Sequence, residues 1–173
     1  MPMLQDNATA MTAETPPAFR AHDHEACRAH AMGTAERVAA ERGLRLTPVR
    51  ARVLEILLES HRALGAYEVL ERLAEEGAAR QPPIAYRALE FLTENGLAHR
   101  VEALNAFVAC ACPGEAHGAV FLVCRPCGTV AELAEPEALA PLVARAGEAG
   151  FAVRRSMVEI EGLCPGCQRE GAA

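Results

Sequence analysis

Lysine is missing from this 173-residue chain, and all seventeen basic residues are arginine. Tryptophan is missing too and aromatics reach only 4 %, so aliphatic side chains and alanine must fill any core. No apolar run approaches the roughly 20 residues of a membrane span, and no membrane association is expected. Met1 to Pro17 is rich in Thr, Ala and Pro, without a basic start leading into an apolar block. That composition argues against a secretory signal and for a reducing, cytoplasmic compartment. The net charge of −6 argues against a wholesale polyanion binder but leaves room for a local basic patch. With 51 % apolar and 23 % charged residues, the length suits one large globular domain or two small ones.

Seven cysteines in a reducing compartment need an explanation other than disulfides. Their spacing supplies it: Cys124-Arg-Pro-Cys127-Gly and Cys164-Pro-Gly-Cys167 are two CxxC knuckles, 36 residues apart. Each can point two thiolates at one ion, and four thiolates make a closed, structural zinc site. Such a site contributes folding free energy directly, which a unit of about 55 residues needs. A redox CxxC or a disulfide would use the same residues, but the thioredoxin-like βαβ setting of a redox motif is not predicted here.

Residues 1–20 read as a disordered tail. A first helix is expected over 22–42, ended by Gly43. Thr47-Pro48 caps a second, whose apolar stripe Val49, Val53, Ile56 and Leu57 runs to about Ser60. A third fits 66–76, and a fourth fits 84–94, opened by Pro82-Pro83 and ended by Asn95-Gly96. Short strands follow at 97–102 and 106–110. Three compact helices and a hairpin make a winged helix-turn-helix pattern, which an ordinary helical bundle with a hairpin would share. Between positions 37 and 52 five arginines (37, 42, 45, 50 and 52) face one acid, Glu41, as a solvated face or a phosphate-facing one. Beyond Pro113, strands at 120–123 and 129–133, a helix at 137–148 carrying Leu139, Leu142 and Val143 on one face, and a strand at 152–160 form a small α+β unit.

A looser set of metal-ligand types, His99, Cys110, Cys112, His117 and Glu132, is spread over both units. Mixed N, S and O donors could bridge the units with one tetrahedral ion; read singly, each is an ordinary surface or core residue. His22-Asp-His24-Glu-Ala-Cys27 is either another metal site or the polar start of a helix, and local spacing favours the latter. His30 and His61 read as surface residues.

Several stretches together resemble the ferric uptake regulator family, most closely its zinc-sensing branch. They are Arg45-Leu-Thr-Pro-Val-Arg50, Ala66-Tyr-Glu-Val-Leu70, Pro82-Pro-Ile-Ala-Tyr-Arg-Ala-Leu-Glu-Phe-Leu92, and the hairpin from Leu97 through Asn105. Phe121-Leu-Val-Cys-Arg-Pro-Cys-Gly128 and Gly162-Leu-Cys-Pro-Gly-Cys167 complete the set, so the likeness covers roughly 33 to 168. The resemblance implies a metal-dependent repressor with a winged-helix DNA-binding domain at 21–111, a hinge at 112–118 and a dimerisation and zinc-binding domain at 119–170. It implies a homodimer on a double-stranded DNA operator, two zinc ions per chain, and neither membrane nor small-molecule substrate nor catalysis. Structural zinc would sit on Cys124, Cys127, Cys164 and Cys167, and sensing zinc on His99, Cys110, His117 and Glu132. Tyr67, Tyr86, Arg87, Arg45 and Arg50 are the expected DNA contacts, with Arg87 suited to a guanine edge. Core packing is the competing use of Tyr67.

Departures from the iron and peroxide sensors favour zinc. Their histidine-rich run is reduced to His117 within Glu115-Ala-His-Gly-Ala-Val, and their histidine before the third helix gives way to Ala63-Leu64. The thiolate of Cys110 suits zinc better than oxygen-rich iron sites. Cys112 is a spare thiol beside Cys110, and Ile84-Ala85 replaces a common Thr-Val, which alters the expected DNA contacts. An iron- or peroxide-responsive relative, a zinc-ribbon interaction module and a thiol oxidoreductase are the alternatives.

Overall fold

The computed structural model describes residues 15–77, 81–114, 119–133 and 136–171. Helix α1 spans His24–Glu41, opened by the Asp23 carboxylate, which accepts the Ala26 N–H at 3.0 Å. Helix α2 spans Pro48–Leu58, where the Thr47 hydroxyl accepts the Arg50 N–H and Pro48 fills the first helical position. Helices α3 (Ala66–Glu75) and α4 (Pro82–Glu94) follow. The antiparallel hairpin β1 (Ala98–Val101) and β2 (Ala106–Ala109) pairs Ala98 with Ala109 and His99 with Val108. Its connection is a 3-10 turn, Glu102–Leu104, closed by Asn105 at φ +48°.

The remainder is a three-stranded sheet ordered β4-β3-β5. Central β3 (Ala119–Cys124) pairs antiparallel with β4 (Val130–Leu133) and parallel with β5 (Met157–Gly162). Helix α5 (Pro136–Glu148) makes the crossover, and short α6 (Pro165–Arg169) ends the described chain.

Two cores hold this together. The first packs Val53, Leu57, Val69, Leu73, Leu89 and Leu92 among the helices. The second joins the hairpin to the sheet: Val101 and Val108 meet Phe121, Val123 and Val130, with Phe121 fully buried. Bridges reinforce it. The loop before α3 pairs Arg62 with Thr129 and Leu64 with Phe107. The Glu159 carboxylate on β5 accepts the N–H groups of Glu102 and Ala103, at 2.7 and 2.8 Å.

Four expectations change. Of the tail, residues 1–14 lie outside the described residues, whereas Pro17–Phe19 forms a 3-10 turn packed against β4. The last strand begins at Met157 rather than at 152; Gly150 at φ +78° ends the preceding helix, and the chain runs on irregularly. Helix α4 begins two residues earlier than 84, because both prolines fit the first turn. Of the three apolar residues expected on one face of α5, Leu139 is buried (4 % exposed), while Leu142 and Val143 are 61 % and 38 % exposed.

Candidate metal centres and nucleic-acid interface

The two knuckles converge. Cys124 ends β3, Cys127 lies in the following turn, Cys164 caps α6, and Cys167 is buried on it. Their four sulfurs lie within 4.8 Å of one another, a group able to hold a metal ion. Cys164 and Cys127 approach to 3.8 Å, and the Cys164 N–H points at the Cys124 sulfur from 3.2 Å. Gly128 follows the first knuckle at φ +71°, a left-handed turn that returns the chain to β4. Burial pushes the Cys127 thiol up, but hydrogen bonds to Thr129, Cys124 and Cys167 together outweigh it and bring the thiol down to about 7. The neighbouring Cys124 thiol and burial push Cys167 up to about 12. Ionising all four thiols therefore calls for a cation, and the soft, closed donor set fits zinc. Although Cys164 stands at a helix start, as a redox cysteine would, α6 is five residues long and its thiol faces three others.

A second group forms where the hairpin meets the sheet. His99 on β1, Cys110 just after β2 and Glu132 on β4 bring their ligand atoms within 4.8 Å of one another. His99 Nε2 is 3.2 Å from Glu132 Oε1, and both side chains are buried. Glu132 Oε2 accepts the Ala111 N–H at 2.8 Å, and the His99 ring lies 5.2 Å from that of Phe121. One imidazole, one thiol and one carboxylate in a desolvated junction also fit zinc. His117 lies outside the described residues, and Cys112, two residues beyond Cys110, is half-buried and not among the three gathered ligands.

A third group was missed as such. His61, expected on the surface, is half-buried and meets His22, His24 and Cys27, all four ligand atoms within 4.8 Å. Local spacing showed only three of these; His61 comes from the loop after α2, brought there by the packing of α1 on α2. Burial, then the charges of His24 and His22, lower the His61 pKa to about 4. A cavity of about 210 Å³ is lined by His24, Cys27 and His61 and also by Cys110 and Glu132.

The expected DNA-facing residues divide. Tyr67 is 68 % exposed, which removes the core-packing reading, and Tyr86 is 46 % exposed. Arg87 and Arg45 are exposed as well. Arg50, by contrast, stacks its guanidinium 3.5 Å from the Phe91 ring centre and donates to the Arg45 carbonyl at 2.8 Å. The arginine excess at 37–52 is partly taken up by partners within the chain, several of them at its surface. Arg52 binds Glu55, Glu59 and Glu76, Arg42 binds the carbonyls of Asn95 and Gly114, and Arg37 pairs with Glu41.

A family model, the ferric uptake regulator family, matches residues 41–161. The chain belongs to the ferric uptake regulator family. Among curated relatives, the zinc uptake regulation proteins of Escherichia coli (strain K12) and Shigella flexneri are each 36 % identical over 137 residues, 79 % of this chain and 80 % of theirs. Among solved structures, a zinc uptake regulator complexed with zinc and DNA superposes with a TM-score of 0.77 at 34 % identity, covering 84 % of this chain and 98 % of that one. The holo form of XcZur gives 0.73 at 40 % identity, covering 85 % and 99 %. The fold is thus that of ferric uptake regulator proteins, mixed helix and strand with a four-cysteine cluster. No helix among the described residues is long and apolar enough to cross a membrane.

Proposed function

We propose that this chain is a zinc-responsive, DNA-binding transcriptional repressor that acts in the cytoplasm as a homodimer on palindromic operators of zinc-uptake genes. It is a binding protein, not an enzyme, and needs no small-molecule substrate. The observation that carries this is the meeting of His99, Cys110 and Glu132 between hairpin and sheet. The similarity to a regulator solved with both zinc and DNA supports it.

In this reading residues 21–111 bind DNA, 112–118 form the hinge and 119–170 dimerise. Two zinc ions bind per chain: one on the four knuckle cysteines, the other on His99, Cys110, Glu132 and His117. His99, Cys110 and Glu132 would hold the ion, which would supply the positive charge that draws these N, S and O donors together. The protein's part is positional. His99 and Cys110 belong to the hairpin side, Glu132 belongs to the sheet, and the Ala111 N–H on Glu132 ties the hinge entry to β4. Holding these groups together fixes the winged helices relative to the dimer core, with recognition helices about one DNA turn apart, ~34 Å. If about 1 % of apo molecules adopt that arrangement, affinity falls roughly a hundredfold, about 2.7 kcal/mol.

On DNA, α4 enters the major groove with Arg87 toward a base edge, while Tyr67, Tyr86 and Arg45 flank it toward the backbone and Arg50, stacked on Phe91, reaches the backbone only from that braced position. The exposed Leu142, Phe151 and Ile160 of the second unit supply apolar surface for a partner copy. An iron- or peroxide-responsive role is the second reading, and the Cys110 thiolate disfavours it. Titrating the protein onto a zinc-uptake promoter fragment, with and without chelator, tests the proposal. Binding that requires zinc supports it. Binding indifferent to chelator, or restored by iron alone, overturns it.

A further inference from the structure

The His22, His24, Cys27 and His61 group takes no part in the function above, yet its geometry is that of a ligand set. The Asp23 cap starts α1 so that His24 and Cys27, three residues apart, share one face of the first turn. That face meets the end of α2. His24 Nε2 lies 2.9 Å from the Glu59 carbonyl and His22 Nδ1 lies 3.1 Å from the Arg20 carbonyl. A carbonyl only accepts, so both of these nitrogens carry the ring proton. Two lone pairs, His24 Nδ1 and His22 Nε2, are then left facing each other at 3.3 Å. His61 Nε2 stands 3.2 Å from His22 Nε2, and the Cys27 sulfur lies within 4.8 Å of one ring nitrogen of each histidine.

Two acceptors at that distance repel unless a cation or proton lies between them. At a tetrahedral zinc with Zn–N bonds of about 2.05 Å, two nitrogen ligands stand about 3.3 Å apart, the spacing seen here. Backbone carbonyls on the far ring nitrogens are also the usual partners of metal-bound histidines. Three imidazoles and one thiol favour a borderline ion such as zinc over calcium or magnesium, which prefer oxygen.

We propose that His22, His24, Cys27 and His61 form a third metal site, for a divalent ion of the zinc class, that staples the start of α1 to the loop between α2 and α3. That loop is itself fixed to the sheet, the His61 carbonyl accepting the Val130 N–H at 2.8 Å. The cavity shared with Cys110 and Glu132 places the staple beside the bridging centre. A proton shared by His22 and His24 is the rival occupant.

Metal content of the zinc-saturated full chain, measured after removal of loose metal, decides between them. The wild type is expected to hold three zinc per protomer, and the double variant His22→Ala/His61→Ala two, with its circular dichroism unchanged. His99→Ala should also hold two, and the triple variant one. Cys27→Ser is the milder second probe: in the cobalt(II)-loaded protein it should lower the thiolate-to-metal absorption while cobalt stays bound. The same zinc content in the wild type and in His22→Ala/His61→Ala would overturn the third site. A zinc lost from His22→Ala/His61→Ala but not from His99→Ala would support it while sinking the sensor assignment, so the two proposals fail separately.

Discussion

The rings of Tyr67 and Tyr86 meet edge to face, 6.4 Å between centroids and 90° between planes. They come from different helices, α3 and α4, and both remain exposed. Two solvent-facing phenols holding each other in place form a rigid polar-tipped ridge next to Arg87. Replacing Arg87 by Ala should weaken operator binding by ~1–3 kcal/mol and relax sequence preference. Tyr67→Phe or Tyr86→Phe should cost ~0.5–1.5 kcal/mol, about one hydrogen bond. Fluorescence anisotropy at fixed salt measures each, and zinc content should stay at the wild-type value. A drop in zinc would contradict the division of roles.

Arg50 should behave differently. Its guanidinium lies over Phe91 and holds the Arg45 carbonyl, so it braces α2 against α4. Arg50→Ala should lose ~1 kcal/mol of cation–π and packing energy, and the melting temperature should fall by about 2–4 °C. An unchanged melting temperature together with weakened DNA binding would show that Arg50 serves DNA alone.

His99→Ala and Cys110→Ser should each abolish zinc-dependent strengthening of DNA binding, roughly a hundredfold. The knuckle cysteines should keep their zinc in both variants. Elemental analysis paired with anisotropy reads the two effects on one sample. Zinc dependence that survives in both variants would move the sensor elsewhere.

Leu142 and Phe151 are 61 % and 66 % exposed, a poor use of apolar side chains in a lone protomer. Leu142→Glu or Phe151→Glu should therefore raise the dimer dissociation constant at least tenfold, read by sedimentation. Dimers of undiminished strength in both variants would place the interface on another face.

Local signals carried far in the sequence. Thr47-Pro48 and the paired prolines before α4 marked helix starts because capping is decided within four residues. The CxxC knuckles were legible because zinc demands a fixed set of thiols. Spacing alone could not gather His99, Cys110 and Glu132, which meet only through the second core; the family resemblance did that. Two features escaped altogether. His61 joins His22 and His24 through helix packing, and Arg52 is absorbed by Glu55, Glu59 and Glu76. Sequence-local charge counts cannot show either, because the partners lie up to 39 residues away.

The short loop before α3 is hydrogen-bonded on both sides, to the hairpin through Leu64 and Phe107 and to the residue leading into β4 through Arg62 and Thr129. It therefore sews two sheets into one fabric, the hairpin that follows the helices and the three-stranded sheet beyond it. The two should consequently melt together, giving one calorimetric transition instead of two. A chelator that strips the knuckles should lower the melting of α1 to α4 as well, though none of their residues belongs to that ligand set.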